Sequence, residues 1–128
     1  MLQNSFFYII KEELKGEGLA VSIRLNPNHA IYKAHFPGRP ITPGVCQIQI
    51  VTEVLSSFLG KEVYLTDIRN VKYMSVISPE EVTELTVGFL KITDNDDVCK
   101  VTVVFQRDEQ LFSKMSMTYH VVRDNSNI

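Results

Sequence analysis

The segment His35-Phe36-Pro37-Gly38-Arg39-Pro40-Ile41-Thr42-Pro43-Gly44, followed at once by the apolar run Val45 to Leu59, constrains this chain more than any other. Three prolines and two glycines in that span exclude a regular helix or strand, because proline lacks a backbone donor and restricts the residue before it. A stiff loop is what remains, and it must launch a helix. Pro43 supplies a pre-set φ near a helix start, and Gly44 leaves the first free amides open to close approach by a ligand. A histidine held beside such amides is a base next to an oxyanion site.

After the loop, Val45, Ile48, Val51, Leu55, Phe58 and Leu59 recur at helical spacing, and Cys46, Ile50 and Val54 widen the apolar surface. Little of this helix is expected to face water, and Gly60 is a suitable C-cap. Upstream, residues 5–14 run into the turn signal Lys15-Gly16-Glu17-Gly18, after which Leu19, Val21, Ile23 and Leu25 alternate with Ala20, Ser22 and Arg24. The pattern predicts a hairpin. Downstream, strands are expected over 62–76, 82–93, 98–107 and 110–122, separated by Ser78-Pro79-Glu80-Glu81, Asp94-Asn95-Asp96-Asp97 and the Asp108-Glu109 turn. Cys99, Val101, Val103 and Phe105, like Met115, Met117, Tyr119 and Val121, alternate with polar neighbours, so these strands should have one wet face. One buried helix against about six antiparallel strands is an α+β arrangement in which a curved sheet wraps the helix. The residues from Asp124 onward are expected to fray.

The bulk numbers set limits. A chain of 128 residues, 45% hydrophobic and 22% charged, reads as one globular domain over 1–128 with no internal repeat. Val45–Leu59 is too short to span a bilayer and is broken by Gln47, Gln49 and Glu53, while the N-terminus lacks a basic region and a long apolar stretch. The expectation is a cytoplasmic protein without membrane insertion. Cys46 and Cys99 form neither a disulfide framework nor a metal-ligand spacing and should be buried free thiols. A net charge of −2 gives no electrostatic footprint for nucleic acid. His29, in the turn-rich Asn26-Pro27-Asn28-His29, and His120, on a polar strand face, are expected as ordinary surface residues.

The run from His35 to Gly44 resembles the signature of the β-hydroxyacyl-(acyl carrier protein) dehydratases, whose hot-dog fold has the same succession of hairpin, buried helix and strands. Lys72-Tyr73, Val76 and Pro79-Glu80-Glu81 are similar to that family's basic-aromatic strand and Pro-Gly-Asp turn, with Glu80 in the glycine's place. Residues 108–117 resemble its last hairpin, so the likeness extends from about Asn28 to Tyr119. It implies elimination of water from a 3-hydroxyacyl thioester to a trans-2-enoyl thioester, in fatty acid or polyene-like lipid synthesis, with no metal or organic cofactor. The thioester would be carried by acyl carrier protein or coenzyme A, and Lys33, Arg39, Arg69 and Lys72 are candidates for a basic rim toward an acidic carrier. The resemblance further implies that His35 is the base and that the Gly44 amide holds the thioester oxygen. Phe36, Pro43 and Val45 would contact substrate. It also implies a dimer, either a homodimer or a heterodimer with a related subunit, in which His35 of one protomer faces Gln49 or Glu53 of the other.

On the helix, two positions depart from that pattern. The family carries Glu or Asp fourteen residues after the histidine, where this chain has Gln49, and commonly carries Gln one turn later, where this chain has Glu53. The two residue types are exchanged at i and i+4, on one helix face. A glutamine amide can orient a water or a hydroxyl but cannot donate a proton as an acid does. Three readings stay open: Glu53 supplies the acid, Gln49 and a water suffice, or the subunit is a non-catalytic acyl-binding or heterodimer partner. A hot-dog thioesterase is a further alternative, resting on Glu53 alone.

Overall fold

The computed structural model describes residues 1–123. Its elements in chain order are β1 (Phe7–Lys15), β2 (Gly18–Leu25), the short helix α1 (Ala30–Ala34), the long helix α2 (Gly44–Leu59), β3 (Val63–Tyr73), β4 (Glu84–Asn95), β5 (Val98–Arg107) and β6 (Gln110–Val121). The strands form one antiparallel sheet of six in the order β1-β2-β4-β5-β6-β3. This is the expected α+β architecture with one long helix packed on the sheet. The expected frayed tail, 124–128, lies outside the described residues.

Alternation along the strands decides which face meets α2. Leu19 pairs with Phe89, Phe89 with Val103, Val103 with Met115 and Met115 with Val71, so one apolar row crosses five strands. Val21, Val87 and Phe105 make a second row. Ile50, Val51, Val54 and Leu55 of α2 are fully buried in the same core. Full burial of such side chains contributes roughly 1.5–3 kcal/mol each. The helix ends where expected: Gly60 sits in the left-handed region at φ 66°, and its N–H donates to the Ser56 carbonyl at 2.9 Å.

Three expectations need correction. The strand drawn over 62–76 ends at Tyr73, because the Met74 and Ser75 amides both turn to the Phe112 carbonyl, at 2.8 and 3.1 Å. The helix is less enclosed than its apolar surface suggests, since Val45 is 74% exposed and Gln49 and Phe58 also reach solvent. His29 is not an ordinary surface residue. It is half-buried as the N-cap of α1, its Nδ1 accepting from the Ile31 N–H at 3.1 Å while its ring stands edge-on to Phe6 at 5.2 Å. That short helix was hidden in a stretch whose composition reads as turn.

Candidate active site

The loop between α1 and α2 is held by its backbone. The His35 N–H closes α1 on the Ile31 carbonyl at 3.0 Å, and the His35 carbonyl accepts from Ile41 at 2.8 Å. Phe36 and Arg39 exchange both N–H···O bonds, at 3.1 and 2.9 Å, around Gly38 with its left-handed φ of 76°. The Thr42 N–H reaches across to the Ile77 carbonyl at 2.8 Å and ties the loop to the segment after β3. The backbone is pinned while the side chains of His35 and Phe36 remain exposed, their rings edge-on at 5.6 Å.

Under the loop lies a buried polar network. The Thr42 hydroxyl shares a 2.8 Å hydrogen bond with the Tyr32 hydroxyl. Gln47 accepts from the Ser113 hydroxyl at 2.7 Å and donates to the Thr42 carbonyl at 3.4 Å. No buried side-chain nitrogen or oxygen among the described residues lacks a partner. Burial pushes the Tyr32 phenol up to about 12, only partly opposed by its bond to Thr42. Burial also raises the Cys46 thiol, which suits the inert free thiol expected there.

Helix α2 begins without a side-chain cap. The Pro43 carbonyl accepts from Cys46 at 3.0 Å and Gln47 at 3.1 Å, while the Gly44 and Val45 N–H groups have no acceptor among the described residues. These two donors lie at the positive end of the helix dipole. Beside them is an open cleft of about 310 Å³ lined by Thr42, Pro43, Gly44, Gln47, Tyr73 and Val76, among others. The Tyr73 ring rests directly on Gly44, close enough that a side chain at position 44 would collide with it. Nothing in the sequence pattern signals that contact, since Tyr73 closes a strand twenty-nine residues downstream.

The candidate residues thus fall into separate groups within one chain. Pro43 and Gly44 share the cleft. Gln49 and Glu53 form a pair, the Gln49 Nε2 donating to Glu53 Oε2 at 2.8 Å. Glu53 is buried and also accepts from the backbone N–H groups of Leu2 and Gln3, each at 2.7 Å. His35, Phe36, Val45 and Gln49 stand exposed, and His35 makes no side-chain hydrogen bond among the described residues. Lys33, Arg39, Arg69 and Lys72 form no ion pair there, and Arg69 lines a groove with Lys91 and Lys100. Among the described residues no three His, Cys, Asp or Glu side chains cluster as metal ligands, and no helix is long and apolar enough to cross a membrane.

A six-stranded antiparallel sheet packed on one long helix defines a protein of the hot-dog fold. A family model described as ApeI-like, ApeI dehydratase, matches residues 11–116. The chain belongs to that family. It is 31% identical over 87 residues to the 3-hydroxyacyl-(acyl-carrier-protein) dehydratase FabZ of Lactiplantibacillus plantarum, covering 62% of this chain and 59% of the relative. It is 28% identical over 93 residues to the FabZ of Ligilactobacillus salivarius, covering 67% and 66%. The chain thus spans between about three fifths and two thirds of these relatives' length. In fold it is similar to the dehydratase heterocomplex ApeI:P of Xenorhabdus doucetiae, with a TM-score of 0.66 at 20% identity over 88% of this chain and 96% of that one. It is also similar to a thioesterase of Haemophilus influenzae, with a TM-score of 0.60 at 15% identity over 91% and 78%.

Proposed function

We propose that this protein eliminates water from a 3-hydroxyacyl thioester, carried by acyl carrier protein or coenzyme A, to give a trans-2-enoyl thioester in fatty acid or related lipid synthesis. The observation that carries the reading is the pair of amides, Gly44 and Val45, that have no acceptor among the described residues and lie beside a cleft at the positive end of α2. Negative charge develops on the thioester oxygen when the neighbouring carbon loses a proton, and two preorganised N–H donors are suited to hold it. His35 removes the C2 proton, the electron pair forms the C2=C3 double bond, and the C3–O bond breaks. Gln49 has no proton to give, so the proton taken by His35 returns to the departing hydroxyl through a water that the Gln49 amide orients. Phe36, Pro43 and Val45 supply the apolar walls.

One chain leaves His35, Phe36, Val45 and Gln49 uncovered, which suits a site completed between two copies, His35 of one facing the helix of the other. The replacement of the family's carboxylate by Gln49 favours one second reading, a subunit that needs a related, acid-bearing partner for turnover. Purified protein mixed with a trans-2-enoyl thioester should remove its conjugation, and His35→Ala should abolish that activity. Inert wild-type protein that gains turnover only when co-purified with a related subunit would replace the first reading with the second. Release of free thiol instead would point to a thioesterase.

A further inference from the structure

Val45, Gln49, Glu53 and Ser57 lie on one i, i+4 row of α2, and three of them are exposed. Glu53 is the exception at 5% exposure, because the N-terminal segment crosses the helix there. Its Oε2 accepts from the Leu2 N–H and its Oε1 from the Gln3 N–H, both at 2.7 Å, so two successive backbone amides grip the two oxygens of one carboxylate. Oε2 also accepts from Gln49 Nε2 at 2.8 Å. An ionised carboxylate can only accept, so Gln49 must turn its amide nitrogen toward Glu53 and its carbonyl oxygen away from it. Gln49 is exposed, so a group from outside the chain can reach that carbonyl.

We infer that Glu53 is a positioning residue: anchored by the Leu2 and Gln3 amides, it fixes the Gln49 side-chain amide with its carbonyl oxygen presented to the substrate hydroxyl or the water that carries its proton. The inference rests on the dehydratase reading above. Both Glu53 oxygens are occupied by donors of its own chain and the group is buried, so it does not reach substrate. An unanchored glutamine would exchange its O and N ends, and only one end accepts from a hydroxyl.

The test is a double-variant cycle on the full chain in the enoyl thioester hydration assay, with kcat and KM measured separately. Glu53→Gln should lower kcat about tenfold to a hundredfold with KM little changed, as a misplaced polar group does. Gln49→Ala should cost a similar factor, and Glu53→Gln should cost nothing further in the Gln49→Ala background. A pH–rate profile that keeps both limbs in Glu53→Gln is also expected. Independent, multiplying losses, or disappearance of one limb, would overturn the inference and make Glu53 a direct participant. Wild-type protein inert toward every enoyl thioester would remove the dehydratase reading and this inference with it. Should Glu53→Gln fail to fold, the Gln49 side-chain amide of ¹⁵N-labelled wild-type protein carries the test. Slow exchange of one of its protons is expected, and exchange as fast as a free glutamine's would overturn the proposal.

Discussion

Replacing Gly44 by alanine asks how tightly the start of α2 is fitted to β3. An ideal Cβ at position 44 would lie 2.6 Å from Cζ and 3.1 Å from Cε2 of Tyr73, and closer still to its Oη, well inside contact distance. Either the ring swings out or the helix start shifts. Overpacking of this kind costs about 1–3 kcal/mol. Against it stands the roughly 0.5–1 kcal/mol that alanine gains over glycine in a helix, smaller at the first position than in the interior. Tyr73 is 50% exposed and can swing into solvent, which keeps the steric cost toward the lower half of its range. The net expectation is a loss of about 0.5–1.5 kcal/mol, read in a thermal melt as a fall of roughly 2–6 °C for a domain of this size. The partner variants make the reasoning strict. Tyr73→Phe removes only Oη and leaves the collision at Cζ, so Gly44→Ala should remain destabilising in that background. Tyr73→Ala removes the ring, and there Gly44→Ala should be neutral or stabilising. Melts are compared at one protein concentration, since association would otherwise shift them. A Gly44→Ala protein that melts above wild type with Tyr73 intact would refute the argument.

Two further outcomes follow from the buried polar groups. Gln47→Ala strips the Ser113 hydroxyl of its acceptor and the Thr42 carbonyl of a donor; a loss of about 1–3 kcal/mol is expected in urea unfolding, and Ser113→Ala added to it should cost little more. A double variant as damaged as the sum of two independent losses would argue against that network. The tyrosines give a pH signature: burial lifts the Tyr32 and Tyr119 phenols to about 12, partly offset by their bonds to Thr42 and Thr52. Raised folded values mean the unfolded chain loses these protons first, near pH 10. The stabilisation is therefore complete below pH 10 and is lost as pH rises toward 12, by about 1.4 kcal/mol per pH unit for each tyrosine. Urea midpoints between pH 9 and 11.5 check this, and Tyr32→Phe should lower the slope by less than half, because the buried Cys99 thiol, pushed up to about 11, adds to it in the same range; a flat profile would contradict it.

Much of this was legible in the amino-acid order. Period-two alternation in Cys99–Phe105 and Met115–Val121 marked the inward faces, helical spacing from Val45 marked α2, and the proline-glycine run marked the loop that starts it. Gly60 marked where the helix stops. These are local properties: each depends on residues within a turn or two, and the physics that reads them is backbone sterics and the period of apolar side chains. What lay beyond reach was the partner of each polar group. Nothing in the spacing of Glu53 announces that residues fifty positions away donate two amides to it, and Gln49 acquires an orientation only through that same carboxylate. His29 reads as surface until Phe6 packs on it and Ile31 donates to it. Tyr73 meets Gly44 only because the register of β3 on β6 carries its ring there. Sequence alone determined where the long helix and the strands run and which strand faces turn inward. The tertiary structure decided which donor finds which acceptor, because a hydrogen bond depends on ångström-scale placement of atoms that chain connectivity leaves far apart.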